Sequence, residues 1–205
     1  YLLNNKNISL TSVTRTNYET ARKKEKYDIV INSAMPSKRF WAKQNPAHDF
    51  RETVEKTFNI VNYWRSKKII QISSISARSQ LNTVYGSHKA AAEKLVNNEK
   101  NLIIRLGPMY GQQLDKGVII DMKNNLPVYV SKESAYCFAP VDWVGKWISE
   151  NMHLYGVLDL GGNNAIKLDE VAKKIGSESI FTGPIDNQIV SKTIKNGPEA
   201  KNVVD

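Results

Sequence analysis

The chain has 205 residues, which suits one large domain or one domain with a small appendage, and its hydrophobic content of 41% is enough for a core. No stretch approaches the roughly 20 apolar residues that cross a bilayer. One cysteine excludes a disulfide framework, and with three scattered histidines it forms no plausible metal cluster. We therefore expect a cytoplasmic protein that holds no metal. The net charge of +9 favours anionic small molecules as partners, whereas the basic residues form no aromatic-interleaved platform of the kind that binds nucleic acid.

Strand and helix patterns alternate along the first half of the chain. Residues 7–15 are predicted as a strand and residues 18–26 as a short helix or turn. Residues 27–34 form a continuous apolar run, as expected for a strand that is covered on both faces. A long helix is predicted over residues 46–65, where apolar residues recur at helical spacing: Phe50, Val54, Phe58, Val61 and Trp64.

The alternation continues and then loosens. The third and fourth strands are predicted over residues 69–73 and 101–106, on either side of an alanine-rich helix over 83–98. Strands and helices in this order predict an α/β fold with a Rossmann-like, doubly wound parallel sheet. After Gly111 the predicted elements are helices at 118–123, from Asp142 and at 168–175, with short strands at 126–130 and from Gly156.

The predicted organisation has three parts. Residues 1–111 form the dinucleotide-binding core, and residues 112–190 form a small C-terminal substrate-binding part with elements that return to the core. Residues 191–205 lack apolar periodicity and are predicted as a tail, either an arm or partly disordered.

The most informative residues are Tyr85 and Lys89. They lie four apart, so a helix beginning near Tyr85 places the phenol and the ammonium on one face. Just upstream, residues 68–74 are predicted as a buried strand that ends in Ser73 and Ser74. A strand-end serine, a tyrosine and a lysine together can move a proton to or from a hydroxyl or carbonyl oxygen, which indicates redox chemistry on an alcohol or ketone.

A second pair has the same spacing. Tyr63 and Lys67 are also four residues apart, but they precede the strand, with no hydroxyl-bearing strand end ahead of them. We therefore interpret Tyr63 as a half-buried helix residue and assign the chemistry to Tyr85 and Lys89.

Five segments occur in the order found in a known family. They are Tyr27-Asp-Ile-Val-Ile-Asn-Ser-Ala, Ile72-Ser-Ser-Ile-Ser, Tyr85-Gly-Ser-His-Lys, Ile103-Ile-Arg-Leu-Gly-Pro and Phe138-Ala-Pro-Val-Asp-Trp-Val. Together they resemble the short-chain dehydrogenase/reductase superfamily, in its extended or atypical group of NAD(P)-dependent sugar-nucleotide epimerases, dehydratases and reductases. One departure is that the asparagine of the family's long helix is replaced near Thr53.

The resemblance implies a role for each site residue. Tyr85 would be the general acid/base, Lys89 would lower its pKa and bind the nicotinamide ribose, and Ser74 would hold the substrate oxygen. Ser73 is the alternative if the register slips by one residue, and Ser76 is a third candidate.

The resemblance also implies a cofactor site. Arg15 stands where the family's second strand ends, and a basic residue there suits the extra phosphate of NADP, so NADP is favoured and NAD remains possible. Ser33 and Ala34 would follow the strand that passes under the cofactor. The cofactor-side loop of the next strand would be Gly107 with Pro108, and Tyr85 and Lys89 would contact the cofactor as well.

The family's first strand and glycine-rich turn are not visible. The chain begins at Tyr1-Leu-Leu-Asn-Asn-Lys, which resembles the end of the family's first helix. Because a sheet without its central strand would leave backbone groups unpaired, we expect residues before Tyr1 in the natural protein. The alternative is that residues 8–13 are the first strand, followed by a turn without glycine.

Several reactions are compatible with these residues. A reductase or dehydrogenase acting on a nucleotide-linked sugar is preferred, and an NAD-dependent C4-epimerase is the next alternative. Dehydration is disfavoured because residues 75–77 lack the acidic pair of the family's dehydratases. A catalytically silent nucleotide sensor or structural member is a further alternative, although it would not need all three groups. A homodimer is possible through the apolar residues of the tyrosine helix.

Overall fold

The computed structural model describes residues 2, 7–24 and 26–203, so the predicted helix end at residues 1–6 lies largely outside the described residues. The helices are α1 (Tyr18–Lys24), α2 (Arg39–Gln44), α3 (Pro46–Phe50), a π-helical segment (Arg51–Glu55), α4 (Lys56–Tyr63), α5 (Ser76–Ser79), α6 (Val84–Val96), α7 (Val118–Lys123), α8 (Val141–Glu150), α9 (Leu168–Ile175) and a 3-10 turn (Ala200–Asn202). The strands are β1 (Tyr27–Asn32), β2 (Ser66–Ser74), β3 (Leu102–Leu106), β4 (Met109–Tyr110), β5 (Ala135–Tyr136), β6 (Ala139–Pro140), β7 (Gly156–Leu160) and β8 (Ile166–Lys167).

The main sheet has the strand order β1-β2-β3-β7. β1 and β2 are parallel and in register from the Tyr27–Ser66 pair to the Asn32–Gln71 pair. Both strands therefore end at the same edge of the sheet, where Asn32 leads into Ser33 and β2 finishes at Ser74. The predicted α/β class with a parallel sheet is confirmed.

The strand predicted over residues 7–15 is absent. These residues have no strand conformation, and the side chains of Leu10 and Val13 are exposed. A strand needs a ladder partner to be stable, and β1 forms one end of the described sheet. The strand predicted at 126–130 is likewise reduced to a single bridge between Val128 and Phe181.

The long helix exists but buries a different face from the one its apolar spacing indicates. It runs from Pro46 to Tyr63, with a π-helical turn over Arg51–Glu55. Phe50 and Phe58 are exposed. Its buried side chains are the polar residues Asp49, Thr53 and Thr57, and an apolar residue, Ile60, is buried only near its end.

The chain divides into two compact units that interleave along the sequence. The first comprises residues 1–105 and 146–158, and the second comprises residues 106–145 and 159–205. The first crossing between the units follows residue 105, and residues 146–158 return to the first unit, while the predicted boundary after residue 111 and the predicted return of later elements to the core stay predictions. Lys68 on β2 fixes this returning segment, because its ammonium donates to the carbonyl oxygens of Met152 and Leu154.

Each unit has its own apolar core. In the first unit β2, β3, α4 and α6 contribute Ile60, Ile69, Val96 and Ile103. In the second unit α7, α9 and the short strands contribute the core, with Met122, Phe138, Ile166, Leu168 and Val171 among its buried members.

The segment predicted as a tail is part of the second unit. Ala200 and Val203 are buried in that unit's core. Asn163 holds the segment, since its backbone N–H donates to Pro198 O at 2.7 Å and its side chain exchanges hydrogen bonds with the backbone of Ile194. Because polar backbone contacts hold most of the segment, apolar periodicity gave no sign of its order.

Within the described ranges, the model contains no helix that combines the length and the apolarity needed to cross a bilayer. The cytoplasmic location expected from composition stays a prediction.

Candidate active site

β2 brings two serines to the edge of the sheet, and their hydrogen bonds differ. Ser73 is buried, and its hydroxyl donates to Glu93 Oε1 at 2.6 Å. Glu93 is also bound by Arg105, whose Nη2 lies 2.6 Å from Oε2. The Ser73 hydroxyl is therefore committed to a structural contact between β2 and α6.

Ser74 has a different environment. Its Oγ accepts the backbone N–H of Ser76 at 3.2 Å, and its side chain lies close enough to Tyr85 to lower the pKa of that phenol. Ser76 is fully buried on α5, with no hydrogen-bond partner for its Oγ among the described residues. Of the three candidate serines, Ser74 is the one placed against the tyrosine.

The local sequence explains where α6 begins. Thr83 is its N-cap, and its Oγ1 accepts the backbone N–H of Gly86 at 3.0 Å. The first helical turn therefore carries Tyr85, and Lys89 follows one turn later, as the spacing predicts.

Gly86 allows the preceding segment to approach this helix closely. A Cβ atom at this position would lie 2.1 Å from Gln80 O and 2.7 Å from Ser76 O, well inside van der Waals contact. Only glycine permits this approach. The backbone around α5, which positions Ser74, is thereby held against the start of α6.

Tyr85 is buried, with 7% of its surface exposed. Burial raises the pKa of the Tyr85 phenol, since the phenolate would be poorly solvated. The Ser74 side chain and the positive charge of Arg39 act in the opposite direction and lower the pKa, whereas the negative charge of Asp49 adds to the effect of burial. The phenol therefore stays protonated in the protein alone and is poised to donate its proton.

Lys89 is a buried cation beside Tyr85. It is 3% exposed, and its Nζ lies 5.2 Å from the centroid of the Tyr85 ring. Burial lowers the pKa of Lys89 to about 8, while the charges of Asp49 and Glu93 counteract part of that decrease. An ammonium that titrates so near neutral pH, next to a phenol, is typical of a functional site.

Residues predicted to bind the cofactor lie in both units. Ser33 and Ala34 follow β1 and are exposed, and the Asn32 side chain fixes this exit by accepting the Ala34 N–H at 3.3 Å and donating to Gln71 at 2.9 Å. The assignment of Ser33 and Ala34 stays a prediction.

The other predicted cofactor residues are Arg15, Gly107 and Pro108. Arg15 is largely solvated and lies 3.4 Å from Glu52. Gly107 and Pro108 belong to the second unit, where the Gly107 N–H donates to Leu160 O and the Pro108 carbonyl accepts the Ala139 N–H. The contact of these residues with a cofactor stays a prediction.

One charged group near Tyr85 and Lys89 was missed from the sequence. Asp49 on α3 is 1% exposed, and its Oδ2 lies 2.7 Å from Nδ1 of His88 on α6. The available signal was the polar stripe Asp49, Thr53 and Thr57 at spacings of four residues, which the neighbouring aromatic residues concealed.

The described residues contain no group of three or more His, Cys, Asp or Glu side chains arranged to hold a metal ion. Cys137 is buried and free, and burial raises the pKa of its thiol. These observations leave the serine, tyrosine and lysine as the groups in the first unit most suited to proton transfer.

Comparison with known proteins identifies the fold. No family model matches the sequence, and no match is found among the curated proteins. A solved dTDP-4-dehydrorhamnose reductase from Bacillus anthracis in complex with NADP superposes with a TM-score of 0.67 and 16% identity, over 85% of this chain and 78% of the reductase. The fold is that of the NAD(P)-dependent sugar-nucleotide enzymes.

Two further solved structures share this fold. The enzyme WbmG from Bordetella bronchiseptica, in complex with NAD and UDP, gives a TM-score of 0.61 at 14% identity, over 83% of this chain and 64% of WbmG. MoeE5 in complex with UDP-glucuronic acid and NAD gives 0.64 at 19% identity, over 86% of this chain and 72% of MoeE5. This chain therefore spans about two thirds to three quarters of the length of these enzymes.

Proposed function

We propose that the protein is an NAD(P)-dependent oxidoreductase, a reductase or dehydrogenase that acts on a carbonyl or hydroxyl group of a nucleotide-linked sugar or a similar small anionic molecule. The observation that carries this proposal is the grouping of Ser74, Tyr85 and Lys89, with the tyrosine and the lysine buried and the serine beside the tyrosine.

Each residue has a distinct task in this proposal. The Ser74 hydroxyl donates a hydrogen bond to the substrate oxygen, and Tyr85 transfers its proton to that oxygen when a carbonyl is reduced. The Lys89 ammonium stabilises the phenolate that is left, which offsets the effect of burial on Tyr85. The backbone bond from Ser76 fixes the Ser74 oxygen, so less orientational freedom is lost when substrate binds.

A nicotinamide cofactor would supply or accept the hydride. The carboxyl edge of a parallel sheet is where such folds bind dinucleotides, and the first unit presents Ser33, Ala34, Tyr85 and Lys89 from that edge or beside it. Arg15, which is solvated, would bind the extra phosphate of NADP, so we propose NADP as the preferred cofactor and NAD as the alternative.

The substrate class follows from charge and from the fold. A net charge of +9 favours anionic ligands, and two solved enzymes of the same fold contain UDP or UDP-glucuronic acid. A C4-epimerase is the second candidate, since a UDP-galactose 4-epimerase shares the fold with a TM-score of 0.58 and such an enzyme needs the same three groups. The homodimer predicted from the sequence stays a prediction.

The first test is cofactor binding. The protein is titrated with NADPH and with NADH, and binding is measured as the enhancement of nicotinamide fluorescence. We expect NADPH to bind more tightly, and the variant Arg15→Ala to lose that preference while it still binds NADH. Failure of both cofactors to bind would overturn the proposed function.

The second test separates the reactions. Nucleotide-linked keto sugars are offered with NADPH, nucleotide-linked sugars with a free C4 hydroxyl are offered with NAD, and nicotinamide absorbance and sugar products are followed together in both reactions. A reductase consumes one cofactor for each product formed, whereas an epimerase interconverts sugars without a net change in absorbance.

A further inference from the structure

Asp49 is a carboxylate in a position that costs folding free energy. It lies on α3 against α6, with 1% of its surface exposed. Its Oδ2 is bound by His88 Nδ1 at 2.7 Å, but its Oδ1 is buried without a hydrogen-bond partner among the described residues. A buried carboxylate with one oxygen unsatisfied is unfavourable unless a cation compensates it.

The cation nearest in sequence to its histidine partner is Lys89. His88 and Lys89 are adjacent on α6, so α3 and α6 bring Asp49 to the same region of the helix as the buried ammonium. Thr53, one helical turn after Asp49 on the π-helical segment, also has a buried hydroxyl without a partner in the described ranges. Such π-helical turns occur often at functional sites.

A second acid near Lys89 is already neutralised. Glu93 receives hydrogen bonds from Ser73 and from both Nε and Nη2 of Arg105. Asp49 is bound by a histidine, whereas Glu93 is bound by an arginine. The Asp49 charge raises the pKa of Lys89 more than the Glu93 charge does. The charged groups that act on the pair are therefore Asp49 and Glu93 on Lys89, and Asp49 and Arg39 on Tyr85.

We propose that Asp49 is a positioning residue for Lys89: held in place by His88, its carboxylate supplies the negative charge that keeps the buried Lys89 ammonium charged and aimed at Tyr85. His88 is the clamp of this arrangement, since its partly exposed ring fixes one carboxylate oxygen and leaves the other facing the interior. This inference rests on the proposed function for its consequence in catalysis, but the electrostatic link between Asp49 and Lys89 is testable without any substrate.

The direction of the effect is the same for both site residues. A negative charge favours the protonated, cationic lysine and disfavours the phenolate, so Asp49 raises the pKa of Lys89 and that of Tyr85. Removing the charge lowers both. In the direction of carbonyl reduction, which needs a protonated tyrosine and a charged lysine, activity should then decline at a lower pH than in the wild type.

The experiment is a pH titration of the lysine side chains by NMR in the protein without ligands, with ¹³C-labelled lysine and assignment of Lys89 from the Lys89→Arg spectrum. In Asp49→Asn we expect the midpoint of Lys89 to fall from about 8 by about one pH unit or more. The matched control is Asp28→Asn, which removes an exposed acid paired with Lys67 and should leave Lys89 unchanged.

Two further variants keep the test decisive. His88→Asn retains a donor near the position of Nδ1 and should preserve the Lys89 midpoint. That result would show that His88 acts through its hydrogen bond to Asp49 and not through the volume of its ring. If Asp49→Asn does not fold, the double variant Asp49→Leu/His88→Leu removes both polar groups together, which is better tolerated than removing one, and it should give the same decrease.

The outcomes are separable. An unchanged Lys89 midpoint in Asp49→Asn, or in the double variant if that is the one that folds, overturns this inference whatever the enzyme's activity. A lowered midpoint with the reduction profile displaced to lower pH supports it. If the protein binds neither cofactor, the proposed function fails on its own test, and the lysine titration still decides the Asp49 link.

Discussion

Two tyrosine–lysine pairs with identical spacing occur in the first unit, and they have opposite environments. Tyr63, at the end of α4, is 55% exposed, and Lys67 forms a surface ion pair with Asp28 at 2.6 Å. Tyr85 and Lys89 are almost fully buried. The Asp28 carboxylate raises the pKa of Lys67, whereas burial lowers the pKa of Lys89 to about 8.

The difference shows that a spacing of four residues specifies neither a shared helix face nor a reactive pair, because α4 ends at Tyr63 and Lys67 already lies on β2. Reactivity comes from what lies on either side of the helix. Around Tyr85 these neighbours are the strand-end Ser74, the buried Asp49 and the close approach that Gly86 permits. Around Tyr63 they are solvent, the Phe58 ring with its centroid 6.2 Å away, and the Arg22 guanidinium 6.0 Å from the Tyr63 ring centroid. Substitutions made in parallel at the two pairs test this contrast.

The largest difference is expected between Tyr85→Phe and Tyr63→Phe. Loss of the Tyr85 hydroxyl should lower turnover by about 100- to 10,000-fold, the usual contribution of a general acid, with cofactor affinity largely retained. Tyr63→Phe should leave turnover unchanged. The measurement is steady-state turnover with a substrate found in the screen described above, and equal turnover of Tyr85→Phe and the wild type would show that Tyr85 is not the acid.

A smaller difference is expected in stability between Lys89→Met and Lys67→Met. Folding lowers the pKa of Lys89 from 10.5 to about 8, so the lysine destabilises the fold by roughly 3 kcal/mol at neutral pH. Lys89→Met should recover much of this free energy of unfolding, because the effect of burial on Lys89 outweighs that of the Asp49 charge and Asp49 keeps its His88 hydrogen bond. The same substitution should abolish activity. Lys67→Met removes only an exposed pair and should have little effect.

The stability gained in Lys89→Met depends on pH. Below about pH 8 both the folded and the unfolded states carry a protonated Lys89, so the gain in Lys89→Met is complete. As the pH rises toward 10.5 the unfolded lysine also loses its proton, and the gain disappears. Urea unfolding of both variants at several pH values measures the difference, and a Lys89→Met protein less stable than the wild type throughout would contradict it.

The smallest effect is expected at Gly86, the residue after Tyr85. Gly86→Ala places a methyl group against the Gln80 and Ser76 carbonyl oxygens, and such overpacking costs about 1–3 kcal/mol. Ser87→Ala, one residue later, shortens a side chain and serves as the control. Thermal unfolding followed by circular dichroism compares the two, and equal melting temperatures would show that the approach of α5 to α6 relaxes easily.

Much of the fold could be predicted from the sequence, because alternating apolar runs and capping residues are local signals. The strands at 27–32, 66–74 and 102–106 and the Thr83-capped helix belong to this class. The failed strand at residues 7–15 depends on a pairing partner, which its own residues cannot specify. The rotated face of the helix at 46–63 depends on buried hydrogen bonds, such as that of Thr57 Oγ1 to Thr53 O, which give polar residues a place in the interior.

The residues of the candidate site also divide into those that local sequence signals reveal and those that only long-range packing reveals. Tyr85, Lys89 and Ser74 could be selected because a helical spacing and a strand end fall close together in the sequence. Asp49 lies about 40 positions from His88, so only the packing of α3 on α6 relates the two. Long-range pairs of this kind carry no local pattern.

The interleaving of the two units has a consequence for how the protein is made. Residues 146–158, which Lys68 holds through Met152 and Leu154, are synthesised long after the rest of the first unit. The core of the second unit includes Ala200 and Val203. A ribosome that has reached residue 140 therefore carries a first unit without its returning segment and a second unit whose core still lacks these late residues. Nascent chains of this protein should depend on chaperones for longer than chains whose domains are finished one after the other.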